Sequence, residues 1–203
     1  EKSYASILAR LSVKAVRYQI PWGIEDQLKG VIDLLKMKAY TFEGEMGMNV
    51  KEHDIPDEYR EIATKYHGEL IERIVEHDDA MMSAYLEGTV PSYEDLQRVL
   101  RKAIIANEIF PVMTGSSLKN VGVQRILDAV VDYLPAPTDL PPVKGTDPKT
   151  DTEIERKPSD DEPFCALAFK LQTDPFVGAL TFFRVYSGTI KAGSYIYNAT
   201  TGE

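Results

Sequence analysis

The sequence predicts an α/β unit carrying an α+β insertion, followed by an incomplete antiparallel β segment. Three observations lead there. Ile109 to Met113 is a short apolar run that stops at Gly115-Ser116-Ser117, and Val123, Ile126, Leu127, Val130, Val131 and Leu134 then recur at helical spacing, which describes a β–α connection. Ahead of it, residues 57–104 hold three successive helical patterns. From Phe164 onwards the apolar period changes to two, with Cys165, Leu167, Phe169 and Leu171 on one face.

Taken in order, Tyr4, Ile7, Leu8 and Leu11 predict a first helix. Val16, Tyr18 and Ile20 alternate with Ala15, Arg17 and Gln19 as a strand that Pro21 is expected to end, and Trp22 is expected to pack under the loop beyond. Val31 to Leu35 and Lys38 to Phe42 read as two further strands, with Met46 and Met48 as loop-packing residues after them. Asp57 opens a helix whose apolar positions are Tyr59, Ile62, Ala63, Tyr66, Leu70, Ile71, Ile74 and Val75. Asp78-Asp79 caps a short helix holding Met81, Met82, Tyr85 and Leu86, which Gly88 ends. Ser92 and Asp95 have capping-box spacing ahead of a helix with Leu96, Val99, Leu100, Ala103 and Ile104 as its stripe.

Beyond Leu134 the composition changes. Pro135, Pro137, Pro141, Pro142, Pro148, Pro158 and Pro163 are interleaved with charged residues, so residues 135–163 are expected to form a linker or a surface-hugging connection. After it, a turn at Asp174 to Gly178 leads into Leu180 to Tyr186, and Thr189-Ile190 and Tyr195 to Tyr197 read as further strands of a small barrel. Cys165, mid-strand on the apolar face, is expected to be a buried small hydrophobe. Both ends read as internal: Glu1 lies in a helical pattern, and Thr201-Gly202-Glu203 is a turn awaiting a returning strand.

The 203 residues carry a net charge of −9, which argues against a surface built to neutralise nucleic-acid phosphates and suits a basic protein partner. No apolar run approaches the roughly 20 residues of a membrane helix. One cysteine forms no internal disulfide, so a cytoplasmic chain is expected. His53, His67 and His77 include no i, i+4 pair, and neither a G-x-S-x-G elbow nor a G-x-x-x-x-G-K-[ST] phosphate loop occurs, so no metal site and no complete catalytic constellation is expected.

Two features remain open to a functional reading. The loop at Gly115, Ser116, Ser117 and Leu118 lies where ligands bind in open α/β sheets, outside the carboxyl end of a strand. Its simpler reading is that Gly115 turns the chain and Ser116, Ser117 or Asn120 caps the helix. The second feature is the face of the Asp57 helix, where Glu58, Glu61, Glu69, Glu72 and Glu76 outnumber Arg60, Lys65 and Arg73. That face is either a solvated surface or a docking site for a basic partner.

Several stretches together resemble the elongation factor G family of bacterial-type translational GTPases. They are Gln19 to Gly23, Leu28 to Ala39, Gly115 to Gln124, Leu127 to Pro135, and Ser159 to Phe164 with Asp174-Pro175-Phe176-Val177-Gly178 and Phe182 to Gly188. The resemblance implies that residues 1–134 are the C-terminal part of a GTP-binding domain, in which residues of about 30–106 form the inserted G′ subdomain. It implies the start of the domain II β-barrel at 164–203, beyond the linker that composition predicts at 135–163.

By the same resemblance, the parent protein hydrolyses GTP with magnesium and drives tRNA–mRNA translocation on the ribosome, touching ribosomal RNA and tRNA. Ser116-Ser117-Leu118 matches the family's guanine-reading motif, usually Ser-Ala-Leu or Ser-Ala-Lys, in which the middle backbone N–H faces the guanine O6. Ser117 stands where alanine is usual; because the contact is made by the backbone, the substitution should be tolerated. The G′ subdomain is the family's contact region for the large-subunit stalk protein, and the five glutamates are the matching surface. The phosphate loop, switch regions and Asn-Lys-x-Asp motif would precede Glu1. The chain alone is therefore expected to be a monomer that binds neither GTP nor GDP nor Mg2+ and hydrolyses nothing. Two other readings stand beside this one: a non-catalytic stalk-binding module, and another translational GTPase such as a release-factor or ribosome-protection relative.

Overall fold

The computed structural model describes residues 2–11, 14–147 and 150–203, in two compact units, Glu1–Leu134 and Pro135–Glu203. The first unit is α/β and the second is built of antiparallel hairpins, which is the fold class expected.

In the first unit, helix α1 (Lys2–Arg10) precedes strand β1 (Ala15–Arg17), which pairs in parallel with β6 (Phe110–Val112), Ala15 opposite Phe110. After Tyr18 the chain enters a four-stranded antiparallel sheet of β2 (Gln19–Trp22), β3 (Gly30–Asp33), β4 (Lys38–Glu43) and β5 (Asn49–His53), in that spatial order. Helices α2 (Asp57–Val75), α3 (Asp79–Leu86) and α4 (Tyr93–Ile105) follow, and α5 (Val123–Tyr133) comes after β6. One buried cluster joins Tyr18, Ile32 and Leu34 to Ala63, Leu70 and Ile74 of α2, Leu100 of α4 and Tyr133 of α5. The helix ends follow local chemistry. Asp78 accepts the Met81 N–H and Ser92 accepts the Asp95 N–H, while Asp57 and Glu58 place negative charge at the start of α2.

Several expectations need correction. Pro21 does not end its strand: it lies inside β2 opposite Val31, which is possible because β2 is the edge of the sheet and a missing N–H costs no ladder bond on the outer side. Leu34 and Leu35 sit in the β3–β4 turn rather than in a strand, because the Asp33 carboxylate accepts the N–H groups of Leu35 and Lys36 and curls the chain there. Strand β5 was not foreseen; its sequence has one apolar residue among five, and its pairing comes from β4. Met46 and Met48 are 68% and 73% exposed, so they do not pack the loop. Trp22, by contrast, does pack: half-buried against the core, it meets the His53 ring edge-on at 5.8 Å. In α3, Leu86 is exposed and Met81 is the buried residue.

In the second unit, residues 135–163 are more than a linker: β7 (Val143–Thr146) and β8 (Glu153–Arg156) form a hairpin, tied by Lys144 to Glu153 and Glu155 at 3.3 and 3.2 Å. Pro148 lies outside the described residues. Strands β9 (Cys165–Asp174) and β10 (Gly178–Ser187) make a long hairpin, and its turn forms where Asp174 accepts the N–H groups of Phe176 and Val177. Cys165 is half-buried rather than buried, and Leu167, Phe169 and Leu171 are exposed. Thr189-Ile190 and Tyr195 to Tyr197 form no strand, because no neighbouring strand among the described residues supplies the ladder bonds that would define one.

Candidate functional site

The loop of interest leaves β6 at Met113 and enters α5 at Val123. Ser116 and Val121 bridge in antiparallel fashion, the Ser116 N–H donating to the Val121 carbonyl at 2.8 Å and the Val121 N–H donating back at 3.0 Å. The four residues between them make a projecting turn, closed by Asn120 N–H to the Ser117 carbonyl at 3.3 Å and Lys119 N–H to Ser116 Oγ at 3.3 Å. Two glycines permit this shape. A Cβ on Gly115 would lie 2.7 Å from the Val121 carbonyl oxygen, and Gly122 has φ +83° with the Thr114 oxygen 2.9 Å from its missing Cβ.

The turn presents backbone donors outward. The N–H groups of Ser117 and Leu118 meet no acceptor among the described residues, and Leu118 is 94% exposed. At the root of the loop, the buried Thr114 Oγ1 also has no partner among the described residues. None of Ser116, Ser117 and Asn120 caps α5, contrary to the simpler sequence reading. Gly122 occupies the cap position with no side-chain bond, Ser116 Oγ serves its own turn, and Asn120 reaches across to the Met46 carbonyl.

The five glutamates, four on α2 and Glu76 at its C-cap, are all exposed, but they separate into two groups. Glu69, Glu72 and Glu76 border a cleft of about 660 Å³ that is lined also by Tyr4 and Leu8 of α1, Arg17 of β1, and Tyr66 and Arg73 of α2. There Arg17 pairs with Glu69 at 3.1 Å, its guanidinium lying 3.9 Å from the Tyr4 ring centre and 4.2 Å from that of Tyr66. Arg73 pairs with Glu76 at 3.3 Å. Glu58 and Glu61 lie outside the cleft.

Sequence reasoning passed over the pair that seats α5. Asp33, wholly buried in β3, holds Arg125 at 3.0 Å. The signal was a lone carboxylate inside the apolar run Val31 to Leu35. Among the described residues no three His, Cys, Asp or Glu side chains are grouped to hold a metal ion, and no helix is long and apolar enough to cross a membrane.

Residues 163–203 match the family described as elongation factor G domain 2. This stretch is similar to elongation factor G domain 2. Its Ser187-Gly188 pair has a packing reason: Ser187 Oγ donates to the Pro163 carbonyl at 2.7 Å, and Gly188 (φ +68°) passes so close that a Cβ would sit 2.5 Å from the Glu162 oxygen and 2.7 Å from Phe164 Cα. Over 94% of its length the chain is also similar to a crystal structure from Thermus thermophilus, with a TM-score of 0.71 and 26% identity. It spans 26% of that protein's length. The family match relates residues 163–203 to elongation factor G.

Proposed function

We propose that the chain is part of a ribosomal translocase of the elongation factor G type, which couples GTP hydrolysis to tRNA–mRNA translocation, and that it contributes the guanine-reading loop and the stalk-docking surface. The elongation factor G domain 2 match at residues 163–203 carries the reading.

Within it, Gly115, Ser116, Ser117 and Leu118 form the wall of the nucleotide site that faces the base. A fixed N–H at Ser117 complements the O6 carbonyl of guanine and opposes the amino group of adenine, a difference of about 1–3 kcal/mol. The unengaged N–H groups of Ser117 and Leu118 suit that role. The described residues offer no set of groups for magnesium. In the full-length polypeptide, Ser117→Pro should weaken GDP binding about 10–100-fold while leaving a 2-aminopurine diphosphate, which lacks O6, unaffected. Calorimetry showing equal losses for both nucleotides would overturn the base-reading role.

The acidic face of α2, through Glu58, Glu61, Glu69, Glu72 and Glu76, is proposed to dock the basic surface of the large-subunit stalk protein. Charge complementarity of this kind acts mainly on association rate and is weakened by salt. Reversing Glu61, Glu69 and Glu72 to lysine should lower the on-rate for stalk protein at low salt; an unchanged rate would remove the assignment.

A further inference from the structure

The turn from Ser116 to Val121 has few bonds of its own, yet it is held from outside by residues far away in sequence. Lys119 Nζ reaches the turn between β2 and β3, donating to the carbonyls of Glu25 and Asp26 at 3.2 and 3.3 Å and to Asp26 Oδ1 at 3.5 Å. Asn120 Nδ2 donates to the Met46 carbonyl and Gln124 Nε2 donates to the Gly47 carbonyl at 2.8 Å, both in the turn between β4 and β5. The backbones also touch: a Cβ on Gly47 would lie 2.7 Å from the Asn120 carbonyl oxygen.

A second observation falls at the same junction. Glu25 (φ +51°), Met46 (φ +55°) and Asn120 (φ +54°) are non-glycine residues in the left-handed region, one in each of the three turns that meet there. Asparagine tolerates that conformation; glutamate and methionine do so only where the surroundings impose it. Each of the two sheet turns therefore holds a strained residue whose carbonyl is gripped by a side chain of the loop.

We infer that Lys119, Asn120 and Gln124 are positioning residues that make the shape of the 114–121 loop depend on the four-stranded sheet. A displacement of either sheet turn is passed to the loop through the side chains that grip its backbone carbonyls, and through the close approach of Gly47 to the Asn120 carbonyl. The inference rests on these contacts and not on the loop's proposed role in reading guanine.

Amide hydrogen exchange on the chain tests it. In Lys119→Ala/Gln124→Ala, the peptide over 114–121, whose protected amides are Ser116, Lys119, Asn120 and Val121, should exchange at least about tenfold faster, while the β3–β4 peptide over 30–43 stays unchanged. Lys119→Arg in place of Lys119→Ala, which keeps donors at that position, should restore much of the slow exchange. Gly47→Ala alters the sequence of the sheet turn only, and its Cβ would press on the Asn120 carbonyl, so it should speed the same loop peptide. Loop exchange within about twofold of the parent in the double variant would overturn the inference, as would equal acceleration of both peptides. Altered exchange together with nucleotide affinity indifferent to Ser117→Pro would leave the coupling intact and remove only the base-reading role.

Discussion

Asp33 and Arg125 meet 3.0 Å apart although 92 residues separate them, and each completes a different part of the first unit. Asp33 Oδ1 accepts the N–H groups of Leu35 and Lys36 at 2.9 Å and so shapes the β3–β4 turn, while Oδ2 takes the Arg125 guanidinium. Arg125 also pairs with Asp128 at 2.9 Å and lies 4.5 Å from the Tyr40 ring centre. One buried carboxylate thus fixes a hairpin turn of the sheet and the seat of α5.

Asp33→Ala should therefore cost about 3–5 kcal/mol, because it strands a largely buried guanidinium as well as freeing two turn amides. Asp33→Asn, which keeps an acceptor for the turn, should cost less. Adding Arg125→Met to Asp33→Ala should recover part of the loss. Urea unfolding of the parent, these three variants and Arg125→Met alone checks this; a double variant less stable than Asp33→Ala by the full cost of Arg125→Met alone would mean the two residues are uncoupled.

Three glycines should respond to alanine in three different ways. Gly122 has φ +83° and its missing Cβ faces the Thr114 oxygen at 2.9 Å and Val31 Cγ1 at 3.2 Å, so Gly122→Ala should cost more than the roughly 1–2 kcal/mol of a left-handed alanine. Gly88 has φ +90° in open space and should show that conformational cost alone. Gly68 lies inside α2 with nothing within 4 Å of its Cβ position, so Gly68→Ala should stabilise by roughly 0.5–1 kcal/mol. Thermal or urea unfolding gives the order directly, and a destabilising Gly68→Ala would refute the reading of that site as open helix surface.

Helix α2 was legible because its apolar period is long and uninterrupted: Ala63, Tyr66, Leu70, Ile71 and Ile74 are buried at the positions their spacing predicts. The α5 stripe of Ile126, Leu127, Val130, Val131 and Leu134, by contrast, formed a helix but is exposed. Strand β5 was not, since Asn49, Lys51, Glu52 and His53 carry no alternation and the partner strand alone defines it. The position of the 114–121 loop could be read from the strand, glycine and helix around it. Its tethers could not, because Lys119, Asn120 and Gln124 find their acceptors 74 to 94 residues away. Likewise, nothing in the spacing of the five glutamates showed that Glu69, Glu72 and Glu76 would border a cleft beside α1 while Glu58 and Glu61 lie outside it.

Buried tyrosines set the alkaline limit of the first unit. Tyr18 and Tyr133 share a hydrogen bond at 3.0 Å in the core, and burial pushes both phenols well above their ordinary range. Burial, with the nearby Asp33 charge next, pushes Tyr93 up to about 12. A phenol in the unfolded chain ionises near pH 10. Because the folded values are raised, their contribution to stability is complete below about pH 10 and is lost as pH climbs through 10 to 12 and beyond. Absorbance titration at alkaline pH should show these phenols ionising late and together with loss of helical circular dichroism. Early, reversible ionisation of all 11 tyrosines with the fold intact would contradict their burial.

The start of α4 gives the complementary test in acid. Ser92 Oγ accepts the Asp95 N–H at 3.1 Å and donates to Asp95 Oδ2 at 2.7 Å, while Arg98 reaches Oδ1 at 3.2 Å. This is half a capping box: the Asp95 carboxylate, one methylene shorter than a glutamate, bonds the Ser92 hydroxyl rather than the Ser92 N–H. Ser92→Ala should cost about 1 kcal/mol at neutral pH. The Ser92 hydroxyl first and Arg98 second hold the Asp95 carboxyl below its ordinary value. A depressed folded value means that its contribution is present above the unfolded pKa, near 4, and disappears as pH falls through the lower folded value. The stability gap between the parent chain and Ser92→Ala should therefore narrow below about pH 4 without closing, because Ser92 Oγ still accepts the Asp95 N–H when the carboxyl is protonated. A gap that stayed constant from pH 7 to pH 2 would show that the carboxylate takes no part in the cap.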